Sequence, residues 1–588
     1  MKLLSNTKIS ILILILITLF TIFFRQSIHS ENSIYQNYDA TYHALLTVKA
    51  LDETPISQHH FLPIVSLGDD ADKHIRWGAT IPDKYGNYYY TSFPLGGFIF
   101  PYAVFKFFNL DVSVDNLFIV SSFILLLSVL IIFIFAKDIS KYLNPLYDAN
   151  KPALLVSIIY LFSMETLYSH GYIYWGHSLM QPIFIFFLYL VFKILTKKMK
   201  VYNLFLLLIF SFLLGFTEWS GYLIVFGTMI VLIFSSLSKR EKYFYISACA
   251  MGGAIALAVF ILDFISVVDT STFFHALESR FFARNFTTNI PISLLFYKYW
   301  ESYNIFLLLL PLAIILIFFD KKAIQKEKIY TLFLLLIIIL FGLLENIVMK
   351  QHAIAYNFDR LKFLPLFALL MPILWSTKSK AFKQISILII LTASIYTTAQ
   401  YPELRITKNE ALEKNQLFVN NDKFKKECKP CIMGIAPAVR GYTNLLFNRG
   451  IYEGVNIERL QNIALKNNKC ACYINVRGIG GGGMIQVLGY KKIKIQDIEI
   501  FATTRAYNLT DRNWVKGVSR KSTGFFVSNI SKNAKKYQVG ARVKFINNEI
   551  RTIKKITVSA NYINIFVDGK PLDGMKVGHP NKIEVIKE

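Results

Sequence analysis

Eleven long apolar segments fill the first 400 residues and constrain the fold more than any other feature of the sequence. Crossing a hydrocarbon core about 30 Å thick takes roughly 20 mostly apolar residues per helix. Only 17% of the chain is charged, against about 25% in soluble domains. We therefore predict an α-helical polytopic membrane bundle of about 11 transmembrane helices. The segments are 9–24, 116–136, 152–164, 178–196, 202–216, 221–237, 243–267, 304–319, 329–349, 361–375 and 382–400.

Lysine distribution predicts the orientation of this bundle. Alternate connections are rich in Lys, among them 137–151, 197–200 and 320–328, whereas 164–177 and 217–220 contain neither Lys nor Arg. Basic loops stay in the cytoplasm. We expect a cytoplasmic N-terminus with a retained signal anchor, a first outer loop over 25–115, and a C-terminus outside. The apolar stretch 93–108 contains Pro and Gly and is short, so we predict a surface helix there.

The chain beyond residue 400 loses the long apolar runs and is predicted to be a folded domain outside the cytoplasm. Residues 401–500 read as an α/β portion, with short buried strands at 432–436 and 472–476 and an amphipathic helix at 457–466 between them. Residues 501–588 read as β-rich, because apolar and polar residues alternate in 541–546, 553–560 and 562–567. Asp568-Gly569 favours a hairpin turn.

Four of the five cysteines lie in this outer domain: Cys428, Cys431, Cys470 and Cys472. An oxidising compartment favours disulfides, although the C-x-x-C and C-x-C pairs are also compatible with zinc. Disulfides are favoured because C-x-C is the less usual zinc spacing. Cys249 lies in a predicted span and is expected to be a small core residue.

The net charge of +26 does not indicate a nucleic-acid partner, since the basic residues sit mainly in short loops between apolar runs. Asp39 is more informative: it opens the outer loop beside residues 40–51, which have helical apolar spacing. Two interpretations follow from its position, a helix N-cap and a functional carboxylate at the membrane surface. Position alone favours the cap.

A resemblance to a known family favours the functional interpretation of Asp39. The run 37–51, the segment Asn87-Tyr88-Tyr89-Tyr90-Thr91-Ser92-Phe93-Pro94-Leu95-Gly96 and the helix ending at Phe107-Phe108-Asn109 resemble the first outer loop of the GT-C superfamily of membrane glycosyltransferases. The similar branch contains protein O-mannosyltransferases and the lipid A aminoarabinose transferase. The sequence departs from that branch at Ala40, where a second acidic residue is common, and at Phe93, where Pro is frequent.

The resemblance implies a GT-C-like catalytic domain over 1–400 and inverting transfer from a polyprenyl-phosphate sugar donor to a lipid, glycan or protein acceptor. Asp39 matches the position of the catalytic base in that branch. The implied location is a multi-pass protein, with membrane lipids as neighbours, in a bacterial inner membrane, with the C-terminal domain in the periplasm.

Cations are needed to stabilise the leaving phosphate, and the outer loop 350–362 supplies Arg360 and Lys362 beside an apolar span. The alternative is that both are interfacial anchors. Arg280 and Arg284 in the loop 269–303 are weaker candidates. Further pocket candidates, each also compatible with a structural role, lie near outer helix ends: His43, Trp175, His177, Glu218, His352 and Tyr356. Glu345, inside a span, is expected to pair structurally.

No cofactor is expected. A divalent cation at Asp69, Asp70 and Asp72 is the alternative to a solvated acidic turn, and the glycine run 478–483 is expected to be a loop. Three other functions remain open. The first is a lipid-linked sugar transporter or flippase, although the sequence does not clearly show the repeats expected of one. The others are an oligosaccharyltransferase or polymer ligase, although the Trp-Trp-Asp motif is absent, and a non-catalytic scaffold.

Overall fold

A computed structural model describes most residues of the chain. These form two compact units, residues 1–66 with 76–409 and residues 67–75 with 410–588. The described residues are 6–30, 33–68, 79–146, 148–197, 200–285, 290–319, 325–408, 428, 431–436, 441–453, 460, 463–464, 467, 469–475, 491–495, 498–502, 515–518, 524–528, 537–545, 549–558, 562–569 and 584–586.

The first unit is almost entirely helical. Two 3₁₀ helices, Asn304–Leu308 and Asn357–Phe363, interrupt its α-helices. The α-helices are α1 Thr7–Ile28, α2 Tyr38–Glu53, α3 Ile56–His59, α4 Gly96–Phe108, α5 Val114–Leu143, α6 Asn150–Phe162, α7 Met164–Ser169, α8 Gly176–Thr196, α9 Val201–Thr217, α10 Ser220–Phe234, α11 Lys239–Val267, α12 Thr270–Asn285, α13 Ile292–Tyr303, α14 Leu309–Phe319, α15 Lys326–Val348, α16 Lys350–Ala355, α17 Pro365–Ser376 and α18 Lys380–Arg405.

Every predicted apolar run is helical in the structure. Seven helical segments among the described residues are long and apolar enough to cross a membrane: Thr7–Ile28, Val114–Leu143, Gly176–Thr196, Lys239–Val267, Ile292–Ile317, Lys326–Val348 and Lys380–Arg405. The other four predicted runs form α6, α9, α10 and α17, which have 12 to 17 residues. At 1.5 Å per residue these helices are about 18–25 Å long, because the chain leaves the helical path early at polar positions such as Ser163 and Glu218.

Helix α4 corresponds to the stretch predicted as a surface helix. Its 13 residues include Pro101 and extend about 20 Å, too short to cross the bilayer upright. Its N-terminus packs backbone against backbone, since a Cβ added to Gly97 would lie 2.8 Å from the Cα of Gly176 at the start of α8. The Tyr174 hydroxyl also donates to the Gly97 carbonyl over 2.9 Å. Gly97 therefore permits the α4–α8 contact.

Two small sheets involve the connection between α1 and α5, which was predicted to be the first outer loop. Strands β1 Ser33–Tyr35 and β4 Ile406–Lys408 pair antiparallel, with Ile34 opposite Thr407. Strands β2 Thr80–Pro82 and β3 Tyr88–Tyr90 form the other pair. Because β4 directly follows α18, the segment after α1 is bound to the end of α18.

Among its described residues, the second unit has two larger sheets and the short helix α19 Tyr442–Phe447. The five-stranded sheet has the order β6-β5-β7-β9-β8 and the six-stranded sheet the order β10-β11-β14-β13-β12-β15. The strands are β5 Ile432–Ala436, β6 Tyr452–Glu453, β7 Ala471–Asn475, β8 Lys491–Ile495, β9 Ile498–Ala502, β10 Val515–Val518, β11 Gly524–Ser528, β12 Arg542–Lys544, β13 Ile550–Val558, β14 Tyr562–Val567 and β15 Glu584–Ile586.

The β predictions hold for the strands and fail for one turn. The α/β and β-rich portions are confirmed, and β5, β7, β12, β13 and β14 match the predicted segments within a few residues. The hairpin predicted at Asp568-Gly569 is wrong, because β14 pairs antiparallel with β13 on one side and β11 on the other. Both edges of β14 are therefore occupied by earlier strands. The helix predicted over 457–466 lies mostly outside the described residues.

The disulfide prediction is confirmed, in place of the zinc alternative. Cys428 pairs with Cys472 and Cys431 with Cys470. The two bonds lie at the start of the parallel pair β5 and β7, where Ile432 is opposite Ala471. They therefore fix the register of the two central strands. Cys249 is a free, buried residue in α11, as expected.

Single serine variants test this connectivity. Cys428→Ser should free the thiol of Cys472, and Cys431→Ser should free that of Cys470, because each variant removes one partner of one bond. Alkylation of the denatured, unreduced protein followed by tandem mass spectrometry locates the labelled residue, with Cys249 as an internal reference. Labelling of Cys470 in Cys428→Ser would require the opposite pairing.

A pair of glycine variants tests the α4–α8 contact. Gly97→Ala should lower the free energy of unfolding by about 1–3 kcal/mol, the usual cost of overpacking, because the new methyl group meets backbone. Gly253→Ala is the matched control: its Cβ would have only one neighbour, a Val225 methyl at 3.6 Å, and alanine favours helix by up to about 1 kcal/mol. Equal melting temperatures in detergent for both variants would refute the close contact.

Candidate active site

Asp39 lies in the first turn of α2, two residues after the N-cap Asn37. Asn37 has a left-handed backbone with φ of 56° and makes no side-chain cap bond. Asp39 is half-buried, and its negative charge acts on Tyr168, whose pKa is raised well above its usual value by burial first and by Glu165 and Asp39 next. The prediction that Asp39 opens a helix is confirmed, whereas Asn37 occupies the cap position itself.

The residues just before Asp39 are held by a distant part of the chain. The Asn37 side chain donates to the Ala355 carbonyl over 3.1 Å, and Asn357 donates to the Gln36 side chain over 2.9 Å. The Tyr168 hydroxyl lies 3.0 Å from Asn37 Oδ1. The start of α2 is therefore fixed against the segment between α16 and the 3₁₀ helix Asn357–Phe363.

Arg360, predicted to bind phosphate, is fully buried in that 3₁₀ helix. Its Nη2 lies 3.0 Å from Glu165 Oε1 and 2.6 Å from Asn357 Oδ1. Its Nε donates to Ser302 Oγ over 2.7 Å, and its Nη1 donates to the Ala353 carbonyl. The guanidinium is thus already bonded on all three nitrogens, and a phosphate would have to replace one of these partners. Its role in phosphate binding stays a prediction.

Glu165 also contacts a second buried arginine, Arg405, at the end of α18. Arg405 Nη2 lies 3.5 Å from Glu165, and its Nη1 lies 3.1 Å from Glu301 and 2.6 Å from the Gln36 side chain. We call Glu165, Arg360, Arg405 and Glu301 the Glu165 network. It joins α7, α13, α18 and the 3₁₀ helix to the entry of the first outer loop.

Lys362 is the centre of a separate set of buried ionisable side chains. Its ammonium lies 2.6 Å from Glu218 and also contacts Glu345. His177 Nε2 lies 3.2 Å from Glu218 and 2.7 Å from Asp359. His352 Nδ1 contacts the other Asp359 oxygen over 2.5 Å. We call these six residues the Lys362 cluster: His177, Glu218, Glu345, His352, Asp359 and Lys362.

The protonation of this cluster is set by its neighbours. Burial opposes ionisation of Asp359, but His352 and His177 nevertheless hold the pKa of its carboxyl well below its usual range. Three carboxylates face one ammonium and two imidazoles. Since a buried uncompensated charge costs several kcal/mol, the imidazoles or carboxylates must carry protons that balance the excess negative charge.

An apolar cavity of about 380 Å³ adjoins the cluster. Its wall contains Glu345, whose side chain is 13% exposed, and Arg280 from α12 supplies a second charge. The Ser92 hydroxyl has no hydrogen-bond partner among the described residues. The other lining residues are apolar: Trp219, Leu223, Leu277, Phe281, Leu344, Val348 and Met349. An amphipathic molecule with one charged end matches this lining.

Aromatic pocket candidates pack beside the cluster. Phe358 lies between Trp175 and His177, with centroid distances of 6.2 and 4.9 Å. His43 packs edge-on to Tyr90 at 4.4 Å and near Trp175 at 5.3 Å. Burial lowers the pKa of His43 to about 3, so this imidazole is neutral at physiological pH. Tyr356 packs on His352 at 4.5 Å.

The predicted site residues therefore divide into groups. His177, Glu218, His352 and Lys362 come together, Arg280 lines the adjoining cavity, and His43, Trp175 and Tyr356 form aromatic walls. The side chain of Arg284, the acidic turn at 69–72 and the glycine run 478–483 lie outside the described residues. No cluster of metal-ligating side chains occurs within the described part of the chain. Sequence reasoning missed Glu165, Asp359 and Arg405, although all are ionisable groups near helix ends.

The Glu165 network makes a stability prediction. Glu165→Gln should lower the unfolding free energy by about 3–5 kcal/mol, the usual cost of breaking a buried ion pair, because Arg360 and Arg405 lose their shared carboxylate. Glu301→Gln is the control: Glu301 is 18% exposed, so its loss should cost only about 1 kcal/mol. Unfolding in mixed micelles measures both, and equal losses would contradict the central position of Glu165.

Comparisons with known proteins agree on the fold. No protein-family model matches the sequence, and no curated protein matches it significantly. ArnT from Cupriavidus metallidurans is similar in structure in its apo state, with 9% identity, a TM-score of 0.51 and coverage of 84% of this chain and 97% of ArnT. The same protein bound to undecaprenyl phosphate gives 9% identity, a TM-score of 0.52 and coverage of 84% and 98%. An oligosaccharyltransferase from Archaeoglobus fulgidus covers 79% of this chain and 69% of its own, at 10% identity and a TM-score of 0.47. The chain therefore has a fold similar to that of ArnT over most of its length.

Proposed function

We propose that the protein is a membrane glycosyltransferase that moves a sugar from a polyprenyl-phosphate donor to an acceptor on the exoplasmic face. The proposal rests on one observation: the segment 355–362 contacts the start of the helix that bears Asp39 and also carries the candidate phosphate ligands Arg360 and Lys362. The start of α2, which bears Asp39, is bonded to Ala355 and Asn357. The 3₁₀ helix that follows carries Lys362, whose partner Glu345 lines the amphipathic cavity.

The cavity is the proposed donor site. Its apolar wall suits part of a polyprenyl chain, and Arg280 at the wall suits the phosphate. Charge-assisted contacts between basic side chains and phosphate are stronger than neutral hydrogen bonds. The similarity to ArnT, which has been solved with undecaprenyl phosphate, supports a polyprenyl-phosphate ligand. Lys362 contributes from behind Glu345, while Arg360 takes part only by exchanging one of its present partners.

The proposed reaction is an inverting displacement. The Asp39 carboxylate takes the proton from the acceptor hydroxyl as its oxygen attacks C1 of the sugar. The bond between C1 and the phosphate oxygen breaks, and the electron pair leaves with the phosphate, whose negative charge the cations stabilise. His43 and Trp175 are proposed to line the sugar pocket.

The exoplasmic face is supported by two observations. The Lys-rich loops alternate with loops that lack basic residues, and both disulfides lie in the C-terminal unit, as in oxidising compartments. We infer a cytoplasmic N-terminus and a periplasmic C-terminal unit in a bacterial inner membrane.

Asp39→Asn tests the base. The variant should fold and bind undecaprenyl phosphate normally but lose sugar transfer by about 100-fold or more, since an amide cannot take the proton. Asp115→Asn is the matched control, because Asp115 occupies the same second position in α5 and should keep full activity. Purified protein with a panel of sugar-labelled polyprenyl phosphates provides the assay.

Transfer by Asp39→Asn above about a tenth of the wild-type rate would leave Asp39 as a charge at a helix terminus and would defeat the proposed mechanism.

The protein reconstituted in vesicles with the same panel of labelled lipids separates a transporter from a transferase. Movement of labelled lipid across the bilayer without release of polyprenyl phosphate would favour the transporter.

A further inference from the structure

Glu345 stands between a buried cation and the cavity. One of its carboxylate oxygens contacts the Lys362 ammonium, while the side chain is partly exposed on the cavity wall. Lys362 itself is 1% exposed and holds Glu218 on its other side. Any anion that enters the cavity therefore meets the Glu345 carboxylate before it can reach Lys362.

The charges around Glu345 come from several elements. Helices α10 and α17 pack against α15 and contribute no charged residue. The 3₁₀ helix contributes Lys362 and Asp359, the α9–α10 turn contributes Glu218, α8 and α16 contribute the imidazoles that face Asp359, and α12 contributes Arg280 across the cavity. The Lys362 cluster contains three carboxyl groups and one ammonium, so acidic groups are in excess over fixed positive charge. Adding a phosphate would increase that excess.

We propose that Glu345 is a proton-gated selectivity residue of the cavity: it takes up a proton and releases Lys362 when a phosphate group binds there between Lys362 and Arg280. The inference rests on the proposed function and deepens its donor site. Lys362 already pairs with two carboxylates, so an ionised Glu345 would repel a phosphate that approaches the same ammonium. Protonated Glu345 removes that repulsion and can donate a hydrogen bond to the phosphate.

The proposal also predicts that the protonation of Glu345 decides whether the cavity prefers neutral or anionic lipids. With Glu345 ionised, its charge is neutralised internally by Lys362, and the cavity accepts neutral apolar molecules. With Glu345 protonated, the positive charges of Arg280 on the cavity wall and of Lys362 behind Glu345 favour an anionic headgroup. Anion binding and proton uptake at this site are therefore linked, and each strengthens the other.

The test measures lipid binding to the full-length protein in nanodiscs between about pH 5.5 and 8.5. The probe is the monomethyl ester of undecaprenyl phosphate, a phosphodiester whose own charge is constant over this range. Wild-type affinity should fall as pH rises, approaching tenfold per pH unit, the slope for one linked proton. Glu345→Gln should bind more tightly than wild type at the upper end of the range and show a flat pH profile.

Calorimetry in two buffers of different ionisation enthalpy counts the protons directly. Wild type should take up close to one proton per lipid, and Glu345→Gln close to none. Undecaprenol, the neutral analogue, should bind wild type without pH dependence. Asp263→Asn is the matched control, because it removes a carboxylate from α11 that does not line the cavity, and it should keep the wild-type slope.

Two failures are distinguishable. If the phosphodiester binds wild type with no proton uptake, or if Glu345→Gln keeps the wild-type slope, the gate is refuted while the donor site survives. If wild type binds the phosphodiester at no pH, the proposed donor site fails and the gate fails with it. Should Glu345→Gln not fold, the wild-type proton count decides alone.

Discussion

The fold depends on the pairing of the carboxylates and arginines that are buried around Glu165. Glu165 is completely buried and lies within 3.0 and 3.5 Å of two arginines that arrive from different parts of the chain. Removing one partner of such a set is far more costly than the set itself is stabilising. The relative positions of α7, α18 and the 3₁₀ helix are consequently fixed by a requirement for pairing, and with them the place where the first outer loop begins.

Short helices make this pairing possible. Helices α6 and α9 end before they have crossed a full hydrocarbon thickness, and the chain turns at Ser163 and Glu218. Each turn delivers a carboxylate into the interior, Glu165 at the start of α7 and Glu218 at the start of α10. The early ends of α6 and α9 therefore place the carboxylates of the Glu165 network and the Lys362 cluster in the interior.

Hydropathy predicted the helical runs well, because apolar length is a local property, and alternation predicted most strands for the same reason. The failures were non-local. The hairpin predicted at Asp568-Gly569 is excluded by strands that arrive from elsewhere in the chain. Arg360 and Lys362 looked alike in sequence as outer-leaflet cations, yet their partners come from distant helices. Asp359 was overlooked because nothing local marks its contacts with two histidines.

The 3₁₀ helix Asn357–Phe363 explains how one short segment serves both networks. Side chains three residues apart lie on the same face of a 3₁₀ helix. Asn357 and Arg360 accordingly share the face that bonds Gln36 and Glu165, whereas Asp359 and Lys362 share the face that contacts His177 and Glu218. An α-helix would have rotated these pairs apart by about 60°. The 3₁₀ backbone thus connects the start of α2, which bears Asp39, with the cluster that borders the cavity.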